Sequence, residues 1–194
     1  MLRTKGASPV SKKQAKNTWY PLDNAGVLYS AIQKDRYSAI YRFSAVMTEP
    51  VNPTLLQRAV GKTMPRFPGF AVRMRRGAFW CYFEPNPNPG PFVKQDMVNP
   101  CQPVRFREDN EWLIRIFYYE HRISLEVFHA ISDGAGTLVF FRTLLAVYLR
   151  ELGYAIPIGP GILDITQPPR KEELEDAYAK YAGQRILRDK LEKT

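Results

Sequence analysis

The sequence predicts an α+β fold in which helices flank a mixed, largely antiparallel sheet. The predicted elements run in the order strand, helix, several strands and helix, and tight turns between strands favour antiparallel neighbours. The chain has 194 residues, of which 45% are hydrophobic and 24% charged. These values are ordinary for a globular protein and allow one domain with its own core.

The first predicted strand spans residues 36–48, which are rich in aromatic and β-branched types, and Pro50 ends it. Asn52 followed by Pro53 predicts a helix start, with asparagine as the N-cap and proline at the first helical position. Apolar residues at helical spacing extend this helix to about residue 64.

The middle of the chain predicts a hairpin and then an irregular segment. Residues 70–76 and 78–84 form the two arms of the hairpin around Gly77. The following stretch, 85–103, is rich in proline, which excludes regular helix and central strand. We therefore expect a long crossing over the surface.

Two further strands, 111–119 and 122–128, are predicted on either side of a tight turn at Glu120 and His121. Side chains alternate between the faces of a strand, and this places three apolar residues together: Ile123, Leu125 and Val127. His129 continues this face only if the strand remains regular through it. His121 is expected to be a solvated surface residue.

The clearest predicted helix follows, capped by Ser132 or Asp133 and ending before Gly153, a natural C′ residue. Its predicted buried stripe consists of Leu138, Phe141, Leu145, Tyr148, Leu149 and Leu152. Residues 154–169 are rich in proline and glycine and predict a linker. Residues 170–194 predict a charged helix with acids early and bases late, matching the helix dipole.

The stretch from Phe128 to Gly134 reads Phe-His-Ala-Ile-Ser-Asp-Gly and is the most informative part of the chain. It places one of only two histidines between the end of a strand and the start of a helix. An imidazole with an unperturbed pKa of about 6.5 is mostly neutral near pH 7 and suits proton removal from a hydroxyl or amine. A capped helix beside a structural histidine is the alternative interpretation of the same residues.

The order His-x-x-x-Asp-Gly before a helix resembles the signature of the CoA-dependent acyltransferase superfamily. This superfamily includes chloramphenicol acetyltransferases, condensation domains of peptide synthetases and alcohol acetyltransferase-like proteins. Its usual pattern has two histidines; here Phe128 takes the first position and His129 keeps the second, which is the base in the family. The resemblance implies acyl transfer from acyl-CoA, a co-substrate rather than a permanently bound cofactor, to a hydroxyl or amine.

The resemblance also implies structural roles within the motif. Asp133 is expected to face away from the pocket and to pair with an arginine, for which Arg42 in the first strand is the chosen candidate. Three other arginines remain open as partners: Arg36, Arg105 and Arg115. Gly134 is expected to let the backbone turn tightly from strand to helix.

The resemblance covers residues 20–165, which correspond to the N-terminal half of a chloramphenicol acetyltransferase-like fold. Residues 1–19 are expected to form a basic flexible tail, and 166–194 a linker and charged helix leading to an absent C-terminal half. That half, or a second chain, would complete the substrate tunnel.

Composition excludes several other classes. Of the net charge of +9, five charges lie within residues 1–22, so no compact basic surface for nucleic acid is indicated, although binding through the tail stays open. The first 20 residues do not resemble a signal peptide, because they contain no apolar stretch of the expected length, and the sequence has no run of 18 apolar residues. Cys81 and Cys101 lack metal-ligand spacing and predict buried reduced thiols in a cytoplasmic protein without a metal.

Two functional alternatives stand beside the CoA-dependent enzyme. The first is a non-catalytic binding or scaffold module, which the replacement of the first histidine by Phe128 favours. The second is a condensation-type domain that acts with a carrier protein.

Overall fold

The structure, a computed structural model, describes residues 20–21, 38–76, 81–96, 99–105 and 107–170. The predicted basic tail and the predicted charged helix beyond Arg170 lie outside these residues. The helices are α1 (Pro53–Thr63) and α2 (Gly134–Glu151). The strands are β1 (Tyr20–Pro21), β2 (Ile40–Val46), β3 (Val72–Arg76), β4 (Cys81–Pro85), β5 (Val93–Gln95), β6 (Ile114–Tyr119) and β7 (Arg122–Phe128).

The strands form two sheets. The larger has the order β2-β7-β6-β5, in which β5 runs parallel to β6 and the other neighbours are antiparallel. The smaller is antiparallel, with the order β1-β4-β3. The predicted mixed, largely antiparallel sheet with helices is confirmed, and so is the pairing of the two predicted hairpin arms.

The proline-rich crossing differs from its prediction in one respect, because it contains the short strand β5. Pairing with β6 makes β5 the outer strand of the larger sheet. Pro91 precedes β5 and Pro100 follows it, so neither proline interrupts the ladder. The exclusion of a central strand is therefore confirmed.

The start of α1 is confirmed as predicted. The side-chain oxygen Oδ1 of Asn52 accepts hydrogen bonds from the backbone N–H groups of Thr54 and Leu55, at 3.0 and 3.1 Å. These two donors have no partner inside the helix, so the cap satisfies them. Pro53 occupies the first helical position, where no N–H is needed.

The main core lies between one face of the larger sheet and the two helices. At its centre the ring of Phe140 stacks on Phe70, with centroids 4.6 Å apart, and meets Phe67 edge-on at 5.1 Å. The residues of the sheet in this core are Ile114, Ile116, Ile123, Leu125 and Val127. The alternation predicted for the strand that carries the motif is therefore correct.

The predicted buried stripe of α2 was partly wrong. Phe141 and Tyr148 are buried, but the other four residues of the predicted stripe, all leucines, are only half-buried. The buried face instead includes Phe140, Leu144 and Val147. Because this helix is apolar around most of its circumference, spacing alone does not select the face that packs.

A second, smaller core joins the two sheets. It consists of Val72, Phe83, Val104, Leu113 and Phe128. Among the described residues, no helix is long and apolar enough to cross a membrane.

Candidate functional site

His129 lies at the first position after β7, opposite Ala39. The last register pair of the two strands is Ile40 with Phe128, and the backbone N–H of His129 donates to the carbonyl of Ala39 at 2.8 Å. The ladder thus extends through His129 although the regular strand ends before it. The imidazole is half-buried, on the face that Val127 shares with the helices.

Tyr41 is the aromatic neighbour of His129. Tyr41 pairs with Val127 in the register of β2 and β7, so His129 is its diagonal neighbour on the same face. The two ring centroids lie 4.8 Å apart with an interplanar angle of 60°. This edge-type contact fixes one side of the imidazole against the sheet. Tyr41 lies far away in sequence, and the sequence analysis did not identify it.

Asp133 caps α2, as one of the two predicted candidates. Its Oδ1 accepts a hydrogen bond from the backbone N–H of Gly136 at 2.7 Å, and its backbone is extended, as an N-cap requires. The residue is exposed, and its carboxylate stabilises the helix start through both the hydrogen bond and the helix dipole.

The crowded glycine of this turn is Gly136 rather than Gly134. A Cβ added at Gly136 would lie 2.8 Å from Oγ of Ser132 and 3.3 Å from Oδ1 of Asp133. A Cβ at Gly134 would meet only Phe43, at 4.0 Å, which is ordinary contact. The close contacts that favour glycine in this turn are therefore at Gly136, in the capped first turn of α2.

The expected pairing of Arg42 with Asp133 was wrong. Arg42 forms ion pairs with Asp96 and with Glu126, the latter at 3.0 Å. The physical reason is strand alternation: Tyr41 faces the helices, so its neighbour Arg42 faces the opposite side of the sheet. Arg115 and Arg105 also have other acidic partners, and Arg36 lies outside the described residues.

The opposite face of the sheet carries a row of three charges, Arg42, Glu126 and Arg115, at directly paired positions of β2, β7 and β6. Glu126 is 2% exposed and lies between the two guanidinium groups. Its Oε1 also accepts the backbone N–H of Cys101 at 2.7 Å, which attaches the crossing segment to the sheet. The sequence placed Glu126 on this face but gave no sign of the row.

Asp96 extends this charged row at its edge. Burial opposes its ionisation, but hydrogen bonds from Arg42 and Arg122 outweigh that effect, so the pKa of its carboxyl is lowered. A cavity of about 570 Å³ opens beside the row and is lined in part by Asp96, Arg115, Phe117 and Glu126. His129 does not line it.

The remaining predicted residues have plainer surroundings. His121 lies in the turn between β6 and β7 and is half-buried rather than fully solvated. Cys81 and Cys101 are free thiols and are half-buried instead of buried. Burial is the main cause that raises the pKa of the Cys101 thiol. Within the described residues, no group of three or more His, Cys, Asp and Glu side chains is placed to hold a metal ion.

Phe128, which stands where the motif that the sequence resembles has its first histidine, is fully buried in the second core. Replacing Phe128 by histidine is expected to lower the free energy of unfolding by about 1–3 kcal/mol, because a polar ring would enter an apolar cluster. Urea denaturation of the full chain measures this. Phe128→Leu is the matched control, with an expected loss below about 1.5 kcal/mol. A histidine variant as stable as the parent chain would contradict the apolar role.

Comparison with known proteins gives a likeness of fold. No protein-family model matches the sequence, and no curated protein matches it. Among solved structures, the first condensation domain of the calcium-dependent antibiotic synthetase is similar, with a TM-score of 0.52 and 21% identity. The starter condensation domain of rhizomide synthetase RzmA gives 0.56 and 14%. Each match covers 74% of this chain and 40% of that chain.

A third structure extends the likeness along this chain. A chain of the complex of the X-domain and OxyB from teicoplanin biosynthesis matches with a TM-score of 0.57 and 15% identity, over 97% of this chain and 43% of that chain. The chain therefore has a fold similar to part of these condensation-domain structures. It spans about two fifths of the length of these solved structures.

Proposed function

We propose that this chain is the histidine-bearing half of an acyltransferase that moves an acyl group from a thioester to a hydroxyl or amine, with His129 as the general base. The observation that supports this most is the position of His129. Its imidazole is half-buried at a strand end and contacts Tyr41, and the N-cap of α2, Asp133, follows four residues later.

The proposed step needs one proton acceptor and no covalent enzyme intermediate. The acceptor oxygen or nitrogen attacks the thioester carbonyl carbon while its proton passes to His129. The C–S bond then breaks, and the leaving thiolate takes the proton back from the imidazolium. Acyl group, proton and thiol are thereby balanced, and the histidine is regenerated for the next turnover.

The thioester donor has two candidate forms. Acyl-CoA is the donor that the histidine motif suggests. A carrier protein with a phosphopantetheine thioester is the second candidate, and the fold shared with condensation domains favours it. Both donors present the same acyl-pantetheine thioester to His129, so the chemistry at the imidazole is unchanged.

A second half is part of the proposal. Because the chain spans about two fifths of the similar structures, we infer that another segment or a partner chain forms the opposite wall of the substrate tunnel. The proposal also includes a cytoplasmic location, because Cys81 and Cys101 are free thiols and the cytoplasm keeps thiols reduced.

A non-catalytic module is the competing function, and one observation favours it. Phe128 fills the second core where the family has a histidine, so part of the usual motif serves packing here. Such a module would keep a thioester-binding cleft without turnover.

Calorimetric titration combined with a thiol-release assay separates the two functions. The full chain, alone and with the polypeptide that completes it, is titrated with acetyl-CoA and with acetyl-pantetheine in the presence of an alcohol or amine acceptor. Thiol release is measured against a protein-only blank, because Cys81 and Cys101 are free thiols. Release that depends on His129 supports the enzyme, whereas binding without release supports the module and contradicts the proposed reaction.

A further inference from the structure

The hydroxyl of Tyr41 connects β2 to the motif and to the start of α2. Its oxygen lies 2.9 Å from the carbonyl oxygens of Ser132 and Asp133 and 2.5 Å from Oγ1 of Thr137. These partners lie 91 to 96 residues away in sequence. One side chain of β2 thus contacts both the end of the motif and the first turn of α2.

The hydrogen atoms of this contact can be assigned from donor chemistry. Carbonyl oxygens only accept, so the single phenolic proton of Tyr41 is donated toward Ser132 and Asp133. The hydroxyl of Thr137 then donates to the oxygen of Tyr41. Burial is the largest influence on this phenol and raises its pKa, which keeps Tyr41 protonated as a donor.

The ring of the same residue lies against His129. Its centroid is 4.8 Å from that of the imidazole, and its other neighbour on the strand, Phe43, meets it edge-on at 5.9 Å. Phe43 in turn stacks on Phe141 of α2, with centroids 6.5 Å apart. The imidazole of His129 therefore packs against Tyr41, and Tyr41 is connected through Phe43 to Phe141 of α2.

We propose that Tyr41 is a positioning residue for His129: its ring fixes the imidazole and its hydroxyl fixes the loop that follows. This inference rests on the proposed role of His129 as the base. A base must be held within hydrogen-bond reach of the acceptor proton, and a misplacement of about 1 Å can cost about 10²-fold in rate. Tyr41 constrains His129 from the strand side, where the backbone bond to Ala39 fixes the main chain but not the ring.

The test compares Tyr41→Phe with Tyr148→Phe in the full chain. Both variants lose one tyrosine hydroxyl that takes part in a hydrogen bond. Tyr148 accepts the backbone N–H of Asn52 at 2.9 Å, at the other end of α2, so it is a matched control distant from the motif. Thr137→Val is a second variant that removes the partner hydroxyl and leaves Tyr41 intact.

Two readouts are measured, and the first does not need turnover. The chain has only two histidines, so the imidazole ¹H–¹³C resonances are assigned with single variants. We expect Tyr41→Phe and Thr137→Val to shift and broaden the His129 resonance, and Tyr148→Phe to leave it unchanged. In the thioester assay we expect kcat to fall by about tenfold in Tyr41→Phe, with KM within about twofold of the parent value.

The outcomes separate this inference from the proposed function. A His129 resonance that is unchanged in both Tyr41→Phe and Thr137→Val, or that changes equally in Tyr148→Phe, overturns the positioning role. A lower Tm without any change at His129 identifies a purely structural hydroxyl and overturns it as well. If the parent chain releases no thiol, the proposed reaction fails, and the resonance comparison still decides the role of Tyr41.

Discussion

Replacing His129 by alanine is expected to slow the proposed acyl transfer by about 10²–10⁴-fold while the chain stays folded, because that reaction would lose its general base. The backbone bond from residue 129 to Ala39 does not involve the side chain, so the end of the strand ladder is retained. The rate is measured as thiol release from the accepted acyl thioester, in the full chain together with the proposed second half.

His121→Ala is the matched control for this substitution. His121 is the only other histidine of the sequence and lies in the turn between β6 and β7. Its removal is expected to leave the rate within about twofold of the parent, since no proton transfer is assigned to it. Unchanged turnover in His129→Ala, or equal losses in both variants, would refute the assignment of His129 as the base.

Replacing Glu126 by alanine is expected to lower the free energy of unfolding by about 3–5 kcal/mol, the usual effect of removing one partner of a buried ion pair. Glu126 is 2% exposed, and its removal leaves Arg42 and Arg115 facing each other across β7 without the intervening negative charge. The backbone N–H of Cys101 loses its acceptor in the same substitution. Urea denaturation with linear extrapolation measures the change.

An exposed ion pair provides the control for Glu126. Lys62 is 56% exposed and pairs with Glu151, so Lys62→Ala is expected to change stability by no more than about 1 kcal/mol. Glu126→Gln keeps the side-chain volume and an acceptor for Cys101, and it separates loss of charge from loss of packing. A loss for Glu126→Ala as small as that for Lys62→Ala would show that solvent screens the row.

The features of the fold that the sequence predicted correctly are those with local causes. Asn52 and Pro53 specify the start of α1 through neighbouring backbone donors and a fixed φ, and the turn between β6 and β7 has just two residues. The separate small sheet and the parallel strand β5 depend on pairing between distant segments. Local patterns contain no information about such partners.

The site divides in the same way. The position of His129 at the strand end and the cap at Asp133 were predictable because strand, motif and helix are consecutive in the chain. Tyr41 was missed because its contacts with the motif depend on the register between β2 and β7. The sequence analysis placed Arg42 on the correct strand but gave it the wrong partner. Arg42 is paired directly with Glu126, so both side chains lie on the face of the sheet that points away from the helices and Asp133.

The alternation along β2 also restricts how this strand tolerates insertion or deletion. A shift of β2 by one residue would turn Arg42 toward the helices and place Tyr41 against Glu126. The contact of Tyr41 with His129 and the ion pair that compensates the buried Glu126 carboxylate would then both be lost. The pairing of Arg42 with Glu126 therefore also stabilises the register that places Tyr41 beside His129. Substitutions that keep the length of β2 are therefore expected to be tolerated better than insertions or deletions within it.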